Sequence, residues 1–224
     1  MWIFTTKGFL SIVQHKDLPD HFQVKSRAAD PLKHFWPEHE IEVIDLADYR
    51  FRINIPKEDA VQVLTEKQIQ RALLTELQST QAGDSVDIAM FYLSENDVTR
   101  EIIQTHQRGV RVRVLLDPNK EAFGYKKNGI PNRTVAARLT RAGIVVRWFD
   151  THGEQGHSKM LHIHRGERDT LILGSANFTR RNLENFNLET DVAIRGPVNA
   201  VVFRDATIYF DRVWLKPVSA TYNK

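Results

Sequence analysis

Between residues 86 and 149, short apolar runs alternate with segments whose apolar residues recur every three or four positions, and this alternation restricts the fold more than any other feature. Residues 86–93, 110–116 and 145–149 read as strands, and residues 97–107 and 135–141 as helices. Elements that take turns in this way bury their apolar faces as one sheet with helices against it, so the spacing predicts an α/β fold. A helix over residues 57–78 precedes the alternation, on the recurrence of Val61, Leu64, Ile69, Leu73, Leu74 and Leu77, and the turn Gln81-Ala82-Gly83-Asp84 ends it. Two more apolar runs, 158–164 and 170–173, a strand over 192–195 and a helix over 200–214 complete the sheet.

The first part of the chain reads differently. Residues 2–5 and 9–13 flank Lys7-Gly8 as a hairpin, residues 22–27, 41–44 and 49–55 are further strands, and Asp30 caps a short helix that stops near Trp36-Pro37. Trp2, Phe4, Phe9, Phe35 and Trp36 are assigned to its core. The chain is therefore expected to form a small α+β domain over residues 1–65, with no role assigned, followed by a mixed sheet flanked by helices over residues 66–224.

Charge is divided unevenly between the two. Residues 1–65 carry 8 Lys and Arg against 10 Asp and Glu, whereas residues 66–224 carry 23 against 18, so the positive charge lies with the second part. Lys126, Lys127 and Arg133, with Arg180 and Arg181, are expected to form a basic rim that draws a polyanion, either nucleic acid or an anionic lipid headgroup. No apolar stretch reaches the ~20 residues that span a bilayer, and the opening segment is too punctuated for a signal peptide. Cysteine is absent, which excludes thiol catalysis and disulfides and points to a cytoplasmic location.

The chemistry concentrates in His157-Ser158-Lys159, Gly174-Ser175-Ala176-Asn177 and Glu189. Side chains two apart on a strand share a face, so His157 and Lys159 project together, as do Ser175 and Asn177. A neutral imidazole can attack phosphorus and divide one displacement into two through a phosphohistidine. Lys159 would hold the non-bridging oxygens, and Ser175 and Asn177 would add neutral hydrogen bonds where charge develops. Glu189 could hold a histidine in its useful tautomer. By contrast, His15-Lys16-Asp17 lacks the alternating spacing and a following Gly-Ser-x-Asn element, and reads as a solvated turn. No cofactor or metal is expected. His162 and His164 stand two apart on a strand, but Glu167 and Asp169 are placed in a turn with Gly166.

Over residues 66–214 the order His-x-Lys, four residues, a position that the motif gives to Asp, and then a Gly-Ser-x-Asn element resembles the phospholipase D superfamily, and the string GSANFT adds to the likeness. The resemblance implies a phospholipase D-like sheet and a phosphodiesterase working through a phosphohistidine on His157. Two departures stand out: His164 occupies the position of the motif's aspartate, and the motif occurs once. Members of the superfamily use two motifs per active site, one histidine as nucleophile and one as general acid. Some small bacterial endonucleases among them supply both by pairing identical subunits, so the resemblance implies a homodimer sharing one active site, with nucleic acid favoured over phospholipid. The other readings are phospholipid hydrolysis or phosphatidyl transfer, a fragment of a longer two-motif enzyme, and an inactive module that binds phosphodiesters. Residues 117–132 look like part of longer lipid-type members. The N-terminal string MWIFTTKGF, with residues 47–52, is similar to a family of small uncharacterised bacterial α+β proteins, which implies no activity.

Overall fold

The computed structural model describes residues 2–5, 7–56, 62–118, 132–151, 155–184 and 186–215. The chain divides into two compact units, Met1–Gln62 and Val63–Lys224. In the first, β1 (Trp2–Thr5), β2 (Gly8–Gln14), β3 (His21–Ser26), β4 (Glu42–Val43) and β5 (Phe51–Pro56) form an antiparallel sheet in the order β1-β2-β3-β5-β4. Helix α1 (Ala29–Phe35) lies between β3 and β4 in the chain. Leu10, Ile12, Val24, Leu32, Ile53 and Ile55 form the core, with Trp36 packed against it. Phe35 corrects the sequence expectation: it is 39% exposed, its ring set edge-on to Trp36.

The second unit is a seven-stranded mixed sheet. Its strands are β6 (Gln62–Thr65), β7 (Ser85–Met90), β8 (Arg111–Leu116), β9 (Val145–Trp148), β10 (Lys159–Arg165), β11 (Arg168–Gly174) and β12 (Thr190–Pro197), in the order β6-β12-β11-β10-β7-β8-β9. Strands β7, β8 and β9 run parallel, whereas β10 pairs antiparallel with both β7 and β11. Val86, Ile88 and Met90, with Leu161 and Ile163, face one side, where α2 (Lys67–Gln78), α3 (Asn96–Gln107) and α4 (Arg133–Arg141) supply Ile69, Leu73, Val98, Ile102 and Leu139. The opposite face carries Ala89, Leu115 and Met160 and is covered by Phe203, Phe210 and Trp214 of α6 (Val201–Trp214).

The expected helix over residues 57–78 is shorter: residues 62–65 form an edge strand, and α2 begins at Lys67. Glu66 sits at φ 41°, a left-handed conformation that ends the strand and prevents one continuous helix. The apolar spacing of Leu64 fits a helix, yet its side chain serves the sheet's core.

The face under α6 also buries charge. Arg113 makes two 2.6 Å bonds to Asp87 and a 2.8 Å bond to Asp211 of α6, while its guanidinium lies over the Phe210 ring. His164 reaches Asp169 at 2.9 Å and Asp87 at 3.5 Å. Burial disfavours its charge, but the two carboxylates win and raise its pKa to about 9.

Candidate active site

The turn between β7 and the segment leading to α3, the approach to β10, the exit of β11 and the start of β12 lie at one end of the sheet. His157 occupies the approach to β10, and Lys159 is the strand's first residue. Backbone bonds fix that approach. Phe91 N–H donates to the Ser158 carbonyl at 2.9 Å, and Gly156 N–H donates to Asp117 Oδ2 at 2.5 Å. Gly156 must lack a side chain, because a Cβ there would lie against the Phe149 ring. Ser158 turns the other way and meets Tyr209 of α6.

The His157 ring is exposed and packs 4.7 Å from the Phe91 ring. Lys159 Nζ, 7% exposed as a residue, lies 3.1 Å from His157 Nδ1, 3.1 Å from its carbonyl and 5.4 Å from the Phe91 centroid. Burial, then the Lys159 charge, push the His157 pKa below the ordinary 6.5, with Asp117 opposing. Burial also lowers Lys159, opposed by Glu189 and Asp191. At neutral pH the imidazole is therefore unprotonated, the state in which nitrogen carries a lone pair for attack.

Beyond Gly174 the chain turns so that Ser175 is exposed and Asn177 half-buried. Ser175 Oγ donates to Glu189 Oε2 at 2.5 Å and accepts from Thr190 N–H at 3.1 Å. The other Glu189 oxygen receives the amide of Asn182. Glu189 thus engages Ser175 and Asn182 within the chain, a different arrangement from the direct hold on a histidine that its sequence position suggests. Asn177 Oδ1 accepts from Tyr92 N–H at 3.2 Å, which ties the Gly-Ser-x-Asn turn to the end of β7 and leaves the amide nitrogen as its donor.

The described basic residues of the expected rim stand at the starts of two helices. Arg133 is exposed at the start of α4, next to Asn132, whose amide bonds the Phe91 and Asp117 carbonyls. Arg180 and Arg181 open α5 (Arg180–Leu183); Arg180 pairs with Glu184 at 2.8 Å and lies over the Phe186 ring, and Arg181 is exposed. Lys126 and Lys127 lie outside the described residues.

Four contributors have no motif to announce them: Phe91, Asp117, Asn132 and Asp191. Phe91 and Asp117 stand just beyond strand ends and Asn132 precedes α4, and only tertiary pairing brings the three together beside the approach to β10. Asp191 is 1% exposed, and its Oδ1 accepts from Ala176 N–H at 3.0 Å. Burial raises its pKa to about 6, helped by the Glu189 charge. The folded state thus keeps this proton at pH values where the unfolded chain has lost it. Stability contributed here is present at low pH and declines as pH rises from about 4 to about 6. Asp191→Asn keeps the oxygen acceptor and removes the ionisation. It is expected to flatten that decline and to raise stability at pH 7 by at least ~1 kcal/mol, read from urea unfolding at pH 4.5 and 7.

Residues 73–214 match a family described as "Cardiolipin synthase, PLD-like domain". Mitochondrial cardiolipin hydrolase of Homo sapiens is 30% identical over 133 residues, which span 59% of this chain and 46% of that protein. The Mus musculus protein of the same name is 29% identical over 133 residues, 59% of this chain and 53% of that one. This chain spans about half the length of these relatives. Among solved structures, the phospholipase D family member Nuc from Salmonella typhimurium superposes with a TM-score of 0.61 at 18% identity, over 74% of this chain and 99% of that one. NucT from Helicobacter pylori gives 0.54 at 18% identity, over 69% and 95%. The latter two likenesses show the shared fold.

Proposed function

Because the chain belongs to the phospholipase D-like family of the cardiolipin synthase type, we propose that it is a phosphodiester hydrolase in which His157 attacks phosphorus. The carrying observation is the neutral, exposed imidazole held against the Lys159 ammonium at the same end of the sheet as Ser175 and Asn177. Attack through a ring nitrogen displaces the first alcohol and leaves a phosphohistidine, which water then hydrolyses. Lys159 neutralises the non-bridging oxygens, Asn177 donates to them through its amide nitrogen, and the Ser175 hydroxyl exchanges its bond to Glu189 for one to the phosphate as charge accumulates. Without substrate, Glu189 holds that hydroxyl in place. Nothing in these steps calls on a metal.

The leaving alcohol needs a proton, and the chain carries one His-x-Lys motif. A second copy related by a two-fold axis would bring its own His157 beside the bound phosphate, whose negative charge favours the protonated ring and makes it that acid, so the working unit is a homodimer sharing one site. Nucleic acid is the favoured substrate, on the basic second unit, with Arg133, Arg180 and Arg181 meeting flanking phosphates. Among the described residues no helix is long and apolar enough to cross a membrane. The names of the two sequence relatives support a second reading, hydrolysis of a phospholipid such as cardiolipin.

The test is hydrolysis of bis(p-nitrophenyl) phosphate in excess EDTA, followed by DNA, RNA and anionic vesicles as substrates. Turnover is expected with EDTA present. On the acid side, the rate should fall only below the ordinary histidine pKa of 6.5, because the nucleophile must be unprotonated and its pKa is lowered. A rate abolished by EDTA and restored by one metal would overturn the scheme, and phosphodiester binding without turnover would make the chain a binding module.

A further inference from the structure

The sequence reading sets aside a metal near His162 and His164 because the nearby carboxylates fall in a turn. The structure corrects that premise: Asp169 is the second residue of β11, directly opposite His164 on β10. His162 Nε2 lies 3.0 Å and His164 Nδ1 2.9 Å from the same oxygen, Asp169 Oδ2. The donor atoms of the three residues all fall within 4.8 Å of one another.

We propose that His162, His164 and Asp169 form a structural binding site for a divalent transition metal, Zn²⁺ by donor type, clamping β10 to β11 beneath α6. Two imidazoles and one carboxylate are the donor set that zinc accepts, and it excludes calcium and magnesium, which take oxygen. Asp169 is 2% exposed, and among the described residues its Oδ1 has no hydrogen-bond partner. That oxygen belongs to the carboxylate on which the two imidazoles converge. A buried carboxylate oxygen left bare is costly, and a cation that the carboxylate holds through both of its oxygens would satisfy it.

The surroundings fit as well. A metal-bound histidine ordinarily passes its second ring N–H to a carboxylate, and His164 Nε2 faces Asp87 Oδ2 at 3.5 Å. Asp87 is itself held by both arms of Arg113. The His162 ring is stacked on Phe203 at 5.7 Å, which fixes its plane. On binding, the ion takes the place of the protons that the two imidazoles direct at Asp169: an imidazolium releases that proton to solvent, whereas a neutral imidazole keeps one proton, carried on its other ring nitrogen. This site is separate from the catalytic one. His164 is five residues along β10 from Lys159, ~16 Å at strand rise, and has the opposite parity, so it lies on the other face.

The experiment titrates EDTA-stripped, dialysed full-length protein with Zn²⁺ and Co²⁺. It reads stoichiometry by elemental analysis, the visible spectrum of the Co²⁺ form and the melting temperature. One ion per chain, a tetrahedral Co²⁺ spectrum and a melting temperature raised by several degrees are expected. Asp169→Asn and His162→Gln should lose the ion, and Asp87→Asn should weaken it by about 10–100-fold. No uptake by the folded parent protein would overturn the proposal, even if every variant misfolds. Uptake that persists in folded Asp169→Asn would place the ion elsewhere and overturn it equally.

Discussion

Replacing His157 by Asn is expected to reduce bis(p-nitrophenyl) phosphate turnover by at least ~10³-fold, because removing a nucleophile leaves only what binding and the remaining donors contribute. The fold should hardly notice. The ring is exposed, and its described contacts are the Lys159 ammonium and the Phe91 face rather than either apolar core. The melting temperature should therefore stay close to the parent's, which separates lost chemistry from lost structure. The same variant tests the shared site. After subunit exchange, an equal mixture of parent and variant should retain about one quarter of the parent activity if both histidines of a dimer are needed, and about one half if each chain works alone. Parent-like turnover by His157→Asn would remove the nucleophile assignment.

Much of the second unit is legible in the sequence because its strands are buried on both faces. Ile88 to Met90 and Val114 to Leu116 are continuous buried apolar runs, and such runs declare themselves without help from the rest of the chain. Elements whose identity depends on neighbours are harder to read. Residues 62–65 fit helical spacing and become a strand beside β12, α5 has four residues, and Asp169 looks like part of a turn until its partner strand is known. The active-site end divides along the same line. His157, Lys159, Ser175 and Asn177 share a local spacing that a reader can see. The link between Asp117 and Gly156 crosses 39 positions and that between Asn177 and Tyr92 crosses 85, so no window along the chain contains either. Glu189 shows the intermediate case: its proximity to Ser175 follows from strand pairing, but its choice of Ser175 and Asn182 as partners is set by side-chain placement.

Gly174→Ala should cost about 100-fold in kcat with a much smaller effect on folding, and the reason is steric. Gly174 ends β11 opposite Asp191, and a Cβ there would run into Asp191 Oδ1, the Thr190 carbonyl oxygen and Asp191 Cα. Two of these obstacles are backbone, so relief requires the strand ends to part. The displacement passes directly to the phosphate-binding turn. Ser175 N–H donates to that same Thr190 carbonyl at 3.1 Å, and Thr190 N–H donates back to Ser175 Oγ at 3.1 Å. Ala176 N–H relies on Asp191 Oδ1. A shift on the order of 1 Å at these groups moves the Ser175 hydroxyl away from the oxygens it must meet. Gly166→Ala provides the contrast. Gly166 lies at φ 57° with nothing within 4 Å of a Cβ, so its substitution strains the hairpin between β10 and β11 by about 1 kcal/mol and should leave kcat unchanged. The two glycines thus separate a stability effect from a geometric one. Parent-like kcat in Gly174→Ala would mean that β12 yields without moving Ser175, and the clamp would then owe its position to Glu189 and Asn182 instead.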